Sequence, residues 1–368
     1  MNNLQVPLKD KVLVAMSGGV DSSVAAAMFV NEEFEVIGLT AQLYNIGMHT
    51  TTSKTCCAGQ DIYDARKVAS DLGIAHYVLD YEKVFEKEVI NHFADSYFEG
   101  RTPIPCIRCN QKIKFRDLLN TAKQLGAEFL VTGHYAKRIQ SNKGIELREA
   151  DDKEKDQSYF LFQTTKEQLS YLRFPLGSIS KNKTRELAKK LNLKVAEKSD
   201  SQDICFVPEG NYRKIVYEVK GPGREGLIKD INGKNLGKHK GIENFTIGQR
   251  RGIGISTGTP LYVIKIDKEN STIIVGSKKF LEAKSLIISE LNWIGEETYF
   301  SDDFSLNLMA KVRSVHNAQE IKIKKISKNT AEVIFKEPVV GAAIGQGCVI
   351  YTRCGRLLGG GWIESVEI

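Results

Sequence analysis

Long apolar runs are missing from this chain. The longest, Val12 to Met16 and Val24 to Val30, fall far short of the roughly 18 to 20 residues that span a bilayer, and no apolar signal segment opens the 368 residues. No membrane partner is expected, and a cytoplasmic address is. Low-complexity tracts and internal repeats are absent too, apart from the local bias of Gly359-Gly360-Gly361. With 42% hydrophobic and 26% charged residues, disordered and fibrous classes are excluded and two or three globular domains fit the length. Neither charge sign dominates: 52 Lys plus Arg against 45 Asp plus Glu leave +7, which permits a polyanionic partner without requiring one. Distribution says more. Between Arg101 and Lys143 nine basic residues face two acidic ones, Asp117 and Glu128, a candidate electrostatic footprint for nucleic acid whose alternative is a solvated surface.

Hydrophobic periodicity divides the chain in three. Up to about residue 208, short β-rich runs alternate with helical patterns, which predicts an α/β fold with a doubly wound parallel sheet. Strands are expected at Lys11 to Met16, Val36 to Leu39, His76 to Leu79 and Glu128 to Thr132. Helices are expected at Asp21 to Glu32, Asp61 to Leu72, Glu82 to Phe98, Lys112 to Leu125 and Lys183 to Leu191. Residues 209–280 bring repeated glycine turns and no long amphipathic helix, as in a small central domain. From 281 to 368 the pattern turns to period two, as in Glu320-Ile-Lys-Ile-Lys-Lys-Ile, which predicts a small β-barrel.

Ser17-Gly18-Gly19-Val20-Asp21-Ser22-Ser23 falls between the first strand and the first helix, where open parallel sheets hold ligands. Two glycines let backbone approach an anion, Ser17 and Ser22 offer hydroxyls, and the open amides of a helix amino terminus add positive character. A pyrophosphate suits that cradle; a turn that merely joins strand to helix is the plain alternative. No Gly-Lys-Ser/Thr follows, and the glycine spacing is not that of a dinucleotide fingerprint. The string resembles the PP-loop of the ATP pyrophosphatases that adenylate their substrates.

Seven cysteines in a chain without an export signal read as thiols, ligands or nucleophiles before disulfides. In Arg101-Thr-Pro-Ile-Pro-Cys106-Ile-Arg-Cys109-Asn-Gln-Lys-Ile-Lys-Phe115, the two prolines predict an extended loop and Asn110 a helix cap. Cys109 would then precede a helix amino terminus among Arg108, Lys112 and Lys114, a setting that favours a thiolate nucleophile. Alternatives are a zinc half-site with Cys106, for which no second paired motif appears, and an inert buried thiol, the reading that suits Cys348. Cys205 stands in Ser199-Asp-Ser-Gln-Asp-Ile-Cys-Phe206. Cys56 and Cys57 lie in a long polar stretch, Gly47 to Gln60, read as a cover over the nucleotide or an ordinary disordered loop.

These strings together, with Thr132-Gly-His-Tyr135, Lys155-Asp-Gln-Ser-Tyr-Phe-Leu161, Thr246-Ile-Gly-Gln-Arg-Arg-Gly-Ile-Gly254 and Gly345-Gln346, resemble the bacterial tRNA-specific 2-thiouridylases nearly end to end. The resemblance implies ATP bound by Ala15, Met16, Ser17, Gly18, Gly19, Val20, Asp21 and Ser22, with Ala41 and Gly133 lining the adenosine pocket. It implies Mg²⁺ with the ATP and no resident metal ion. Cys109 matches the family nucleophile and Cys205 the persulfide carrier, while His134, Lys155, Asp156, Gln157 and Gln346 fall where the family contacts tRNA. The implied activity is ATP-dependent 2-thiolation of the wobble uridine, with a persulfide donor such as a cysteine desulfurase or a sulfur relay protein as partner. In one place the chain departs from the commoner pattern. Ile104-Pro105-Cys106 replaces Asn-Pro-Asp, so the acid/base carboxylate is missing, and a thiol is no substitute for it at neutral pH. Cys106 is left to relay sulfur or, in a second reading, to join Cys109 and Cys205 on an iron–sulfur cluster. Another PP-loop adenylating ligase and an RNA-binding sulfur carrier are the rival functions. Arg313-Ser314 matches the family's carboxyl-terminal tRNA contact only loosely.

Overall fold

The computed structural model describes residues 10–44, 59–142, 144–200, 203–207, 210–256 and 258–368. They form two compact units: Met1–Glu86 with Cys109–Ser158 and Lys166–Pro208, and Lys87–Arg108 with Tyr159–Thr165 and Glu209–Ile368. Cys56, Cys57 and most of the polar stretch around them lie outside the described residues.

The first unit is built on a five-stranded parallel sheet of order β3-β2-β1-β4-β7. Its middle strand, β1 (Lys11–Ala15), buries Val12, Leu13 and Val14 completely, as expected of an apolar run covered on both faces. β2 (Glu35–Gln42) and β4 (Phe129–Val131) flank it, with β3 (Ala75–Asp80) beyond β2 and the two-residue β7 (Leu172–Arg173) beyond β4. Because β1 is followed by β2 on one side and β4 lies on the other, the turn after β1 occupies the point where the winding reverses. Helix α1 (Val20–Asn31) carries Ala25, Ala26 and Ala27, small enough for the helix to lie close on the sheet, and it ends where Glu33 adopts φ 64°. An antiparallel hairpin of β5 (Ala136–Ser141) and β6 (Gly144–Glu149) follows β4. Ala136 and Leu147 are buried on one of its faces, but they share that face with Arg138, Gln140 and Glu149, which is why period two did not reveal the strands.

The expected strands and helices are present, with ends moved by one to three residues, except around the prolines. There the extended loop is replaced by α5 (Pro105–Cys109), which runs on through a π-helical stretch, Asn110–Leu118, into α6 (Leu119–Gln124). Pro105 starts the helix, where its fixed φ is suited and its missing N–H costs nothing. Asn110 is therefore helical interior and caps nothing, and Cys109 itself has φ −60°, ψ −46°.

In the second unit a four-stranded mixed sheet, β10 (Tyr262–Asp267), β11 (Thr272–Gly276), β8 (Gly226–Asp230) and β9 (Asn235–His239), closes over Ile228, Val263, Ile273 and Val275. The central stretch also holds a nine-residue helix, α9 (Tyr212–Lys220), that glycine punctuation had hidden; Tyr212 stacks on Tyr97 at 4.3 Å. Six further strands, β12 (Glu282–Trp293), β13 (Leu308–Lys311), β14 (Gln319–Lys325), β15 (Ala331–Val340), β16 (Gly347–Thr352) and β17 (Arg356–Glu367), pair in the order β12-β15-β14-β13-β16-β17. β17 returns to β12, so the barrel is closed and has no free edge among these strands. Alternate residues such as Leu308, Ile321, Ile323, Val333 and Ile350 fill it.

A phosphate cradle and two thiols in the first unit

The turn after β1 is held from below. Met16 N–H donates to Leu39 O (2.8 Å), and the Thr40 hydroxyl donates to Met16 O (2.7 Å). Ser22 is buried and turns its hydroxyl back on the loop, accepting from Ser17 N–H at 3.1 Å and lying 3.2 Å from Gly19 O. Of the two hydroxyls expected to meet phosphate, Ser22 thus shapes the loop, and only Ser17 is exposed. Gly19 is the N-cap of α1 and supplies no side-chain cap, so the first amides of a twelve-residue helix stay open to an anion. Gly18 adopts φ +71°, and a Cβ there would stand 2.1 Å from Asp61 O. A Cβ at Gly133 would stand 2.8 Å from Asp21 C and Ser22 N, so the loop after β4 lies directly against the first turn of α1.

Charge around the cradle is organised by residues that the motifs did not reveal. Asp21 receives Lys181 Nζ on both carboxylate oxygens (2.8 Å each) and the Tyr135 hydroxyl at 2.9 Å. Lys181 is 8% exposed and also pairs with Asp200 at 2.9 Å; Lys155 (2.9 Å) and Arg185 (2.7 Å) complete the ring around Asp200. Burial by itself would raise the Asp200 pKa, but the hydrogen bonds and charges of Lys181 and Lys155 win and lower it to about 2. On the other flank Lys198 Nζ donates to Gly18 O (3.0 Å) and to the carboxylates of Asp61 (2.5 Å) and Asp64 (2.6 Å). The one sequence hint was position: Asp200 belongs to the polar string that leads to Cys205, and Lys198 immediately precedes that string.

The remaining expected nucleotide contacts divide between core and rim. Met16 and Val20 are buried, while Ala15 and Ala41 are half-buried. Ala41 lies late in β2, paired with Leu79 of β3.

The five described cysteines, 106, 109, 205, 348 and 354, are thiols. Cys109 is buried, and in the fifth position of its helix it is past the first turn, where the dipole is felt most. The exposed residue in that first turn is Cys106. Arg108, expected to favour a thiolate at Cys109, gives its charge to Glu290 in a bidentate pair of 2.8 and 2.7 Å within the second unit. Cys205 is half-buried, its carbonyl accepting from the Tyr44 hydroxyl at 2.6 Å, and Phe206 meets Phe85 edge-on at 5.5 Å. Tyr44 follows β2 and Phe85 follows β3, so this segment sits at the carboxyl edge of the sheet, as the cradle does. The Cys109 helix reaches the same edge: Phe115 meets His134, just after β4, at 5.9 Å between ring centres. Burial pushes the Cys348 thiol up to about 12, in keeping with an inert core residue.

Of the residues expected at tRNA, His134 bonds through Nδ1 to the Thr132 hydroxyl at 2.8 Å; burial, then the Lys114 charge, holds its pKa well below the usual imidazole value. Asp156 and Gln157 brace the chain. Asp156 accepts from Ala150 N–H (2.9 Å) and from the Ser158 hydroxyl (2.8 Å), and Gln157 Oε1 accepts from Tyr135 N–H (2.9 Å). Gln346 lies in the second unit and donates to Thr102 O at 2.9 Å. The basic stretch is largely neutralised: Arg101 pairs with Glu364, Arg108 with Glu290, Arg116 with Asp117, Lys123 with Glu167 and Lys137 with Asp151. Lys112 and Lys114 have no carboxylate partner among the described residues. Among those residues no three His, Cys, Asp or Glu side chains gather to hold a metal ion.

Three family models match in series: a tRNA methyl transferase HUP domain over residues 10–209, a tRNA methyl transferase PRC-barrel domain over 217–277 and an aminomethyltransferase beta-barrel domain over 283–363. Curated relatives include the tRNA-specific 2-thiouridylase MnmA of Rickettsia massiliae (strain Mtu5), 51% identical over 96% of both chains, and that of Rickettsia rickettsii (strain Sheila Smith), 50% identical over 96% of both. Among solved structures, NMN synthetase from Francisella tularensis matches at a TM-score of 0.33 and 18% identity, covering 58% of this chain and 78% of its own. At half identity over nearly the whole length, and with the family's domain models in order, the chain belongs to the tRNA-specific 2-thiouridylase family.

Proposed function

We propose that this protein is an ATP-dependent tRNA-uridine 2-sulfurtransferase acting on the wobble uridine. The observation that carries the reading is the turn after β1, where α1 starts without a side-chain cap and so leaves its first amides open to an anion, in a loop held tightly against Asp61 at Gly18 and against Gly133. A nucleotide bound there places its phosphates beside Asp21 and Lys181. Mg²⁺ enters as part of the ATP substrate, held mainly by phosphate and water, as magnesium commonly is. The uridine O2 attacks the α-phosphorus; the α–β bridging bond breaks, pyrophosphate leaves, and C2 becomes electrophilic.

Cys205 carries a sulfane sulfur delivered by a persulfide donor protein. Its outer sulfur adds to C2 and AMP departs. Cys109 thiolate then attacks the inner sulfur of Cys205, which breaks the S–S bond, leaves the outer sulfur on C2 and forms a Cys109–Cys205 disulfide. An external dithiol returns both cysteines to thiols and is oxidised in doing so. A target base must leave its stack to reach such groups, which suits an anticodon loop. Needing ATP, tRNA and reductant together, the reaction belongs in the cytoplasm. The His134 face and Lys112 and Lys114, which have no carboxylate partner among the described residues, supply the RNA-binding character on the first unit. The test is nucleoside analysis of tRNA incubated with the protein, ATP, Mg²⁺ and a persulfide source: 2-thiouridine supports the reading, and ATP turnover without it favours another adenylating ligase.

A further inference from the structure

We infer that Lys181 couples occupancy of the phosphate cradle to the segment bearing Cys205. The inference rests on reading the cradle as the ATP site and goes beyond it, because it makes the sulfur carrier responsive to the nucleotide.

An ammonium has three N–H donors. In Lys181 all three have acceptors: Asp21 Oδ1 and Oδ2 at 2.8 Å and Asp200 Oδ1 at 2.9 Å. Asp21 is the second residue of α1, whose open amides form the cradle. A phosphate bound to those amides arrives beside the Asp21 carboxylate and adds negative charge to it, and the nearest cation is Lys181. Any phosphate oxygen that takes a Lys181 proton displaces one carboxylate oxygen. Asp200 is the partner that can yield, since Lys155 and Arg185 still hold it at 2.9 and 2.7 Å. Among the described residues, Asp21 has only the Tyr135 hydroxyl besides Lys181.

Asp200 stands five residues before Cys205, and Lys198, two residues before Asp200, donates to Gly18 O in the cradle itself at 3.0 Å. Lys198 and Asp200, both shortly before Cys205, are thus fastened to the phosphate loop, one directly and one through Lys181. Filling the cradle loosens the second fastening and changes the exposure of the Cys205 thiol. Lys181 acts here as a positioning residue.

The test follows alkylation of Cys205 by N-ethylmaleimide in the full chain, read by peptide mass mapping, with and without saturating ATP or inorganic pyrophosphate plus Mg²⁺. In the wild type, either ligand should accelerate alkylation about two- to five-fold, the equivalent of one partly exposed ion pair. Lys181→Arg should keep the response. Lys181→Gln and Asp200→Asn should lose it at ATP concentrations shown by calorimetry to saturate each variant; Asp200→Asn serves if Lys181→Gln fails to fold. A full response in Asp200→Asn overturns the inference, as does a wild type that binds ATP with no change at Cys205. A wild type that binds no ATP removes the cradle reading and this inference together.

Discussion

Glycine 18 shows how one residue settles what the loop after β1 can be. Its φ of +71° and the 2.1 Å approach of a hypothetical Cβ to Asp61 O mean that Gly18→Ala must both strain the backbone and push α2 (Gly59–Asp71) away. We expect a loss of about 1 to 3 kcal/mol of stability and of ATP binding, measured by chemical denaturation and calorimetry. Unchanged ATP affinity would mean that the turn is only a connection. Cys205→Ser should stop thiolation while tRNA-dependent pyrophosphate release continues; thiolated product from that variant would remove Cys205 from the chemistry. Asp200 supplies a pH signature. Its folded-state pKa of about 2 lies below the unfolded value near 3.9, so its contribution is complete above pH 4 and fades as acid approaches pH 2. Allowing for screening of a partly exposed group, that contribution is about 1 kcal/mol. Urea unfolding should show wild type ahead of Asp200→Asn at pH 5, with the two converging toward pH 2.5; a constant gap would contradict the pairing.

At the scale of elements, most of the first unit could be read from its sequence because hydrophobic period and burial agree there: β1 is apolar because both its faces are covered, and α1 is small and apolar because it lies close on the sheet. The turn after β1 was legible for the same reason, since Gly18, at φ +71° and against Asp61 O, has a backbone job that only glycine does well. Two kinds of element escaped. β7 is two residues long, and in the β5–β6 hairpin Arg138, Gln140 and Glu149 share a face with the buried Ala136 and Leu147, so neither leaves a clear periodic trace. The Pro105 helix was misread because proline breaks a helix interior but starts a helix readily, and the sequence does not say which position Pro105 takes. Lys181 went unnoticed because its importance comes from a carboxylate 160 positions earlier in the chain. The helical run that follows Cys109 bears Lys112 and Lys114, which, like Arg138, have no carboxylate partner among the described residues. Replacing both by alanine should reduce the slope of log affinity against log salt for tRNA by about one to two. An unchanged slope would assign that helix face to solvent.

On the scale of the whole molecule, an α/β unit carries both the proposed nucleotide cradle and the proposed sulfur-handling thiols, while the second unit combines a small mixed sheet with a closed six-stranded barrel. In the barrel, Ile350→Ala, at a fully buried site, should cost about 2 to 5 kcal/mol, read as a lower denaturant midpoint with adenylation retained at native conditions. What joins these parts in one account is the stoichiometry of the reaction. The most direct measurement incubates tRNA with the protein, ATP, Mg²⁺ and a persulfide source, and counts AMP against thiolated nucleoside by mass spectrometry. The account predicts 2-thiouridine formed one for one with AMP; AMP formed while every uridine keeps its O2 would contradict it.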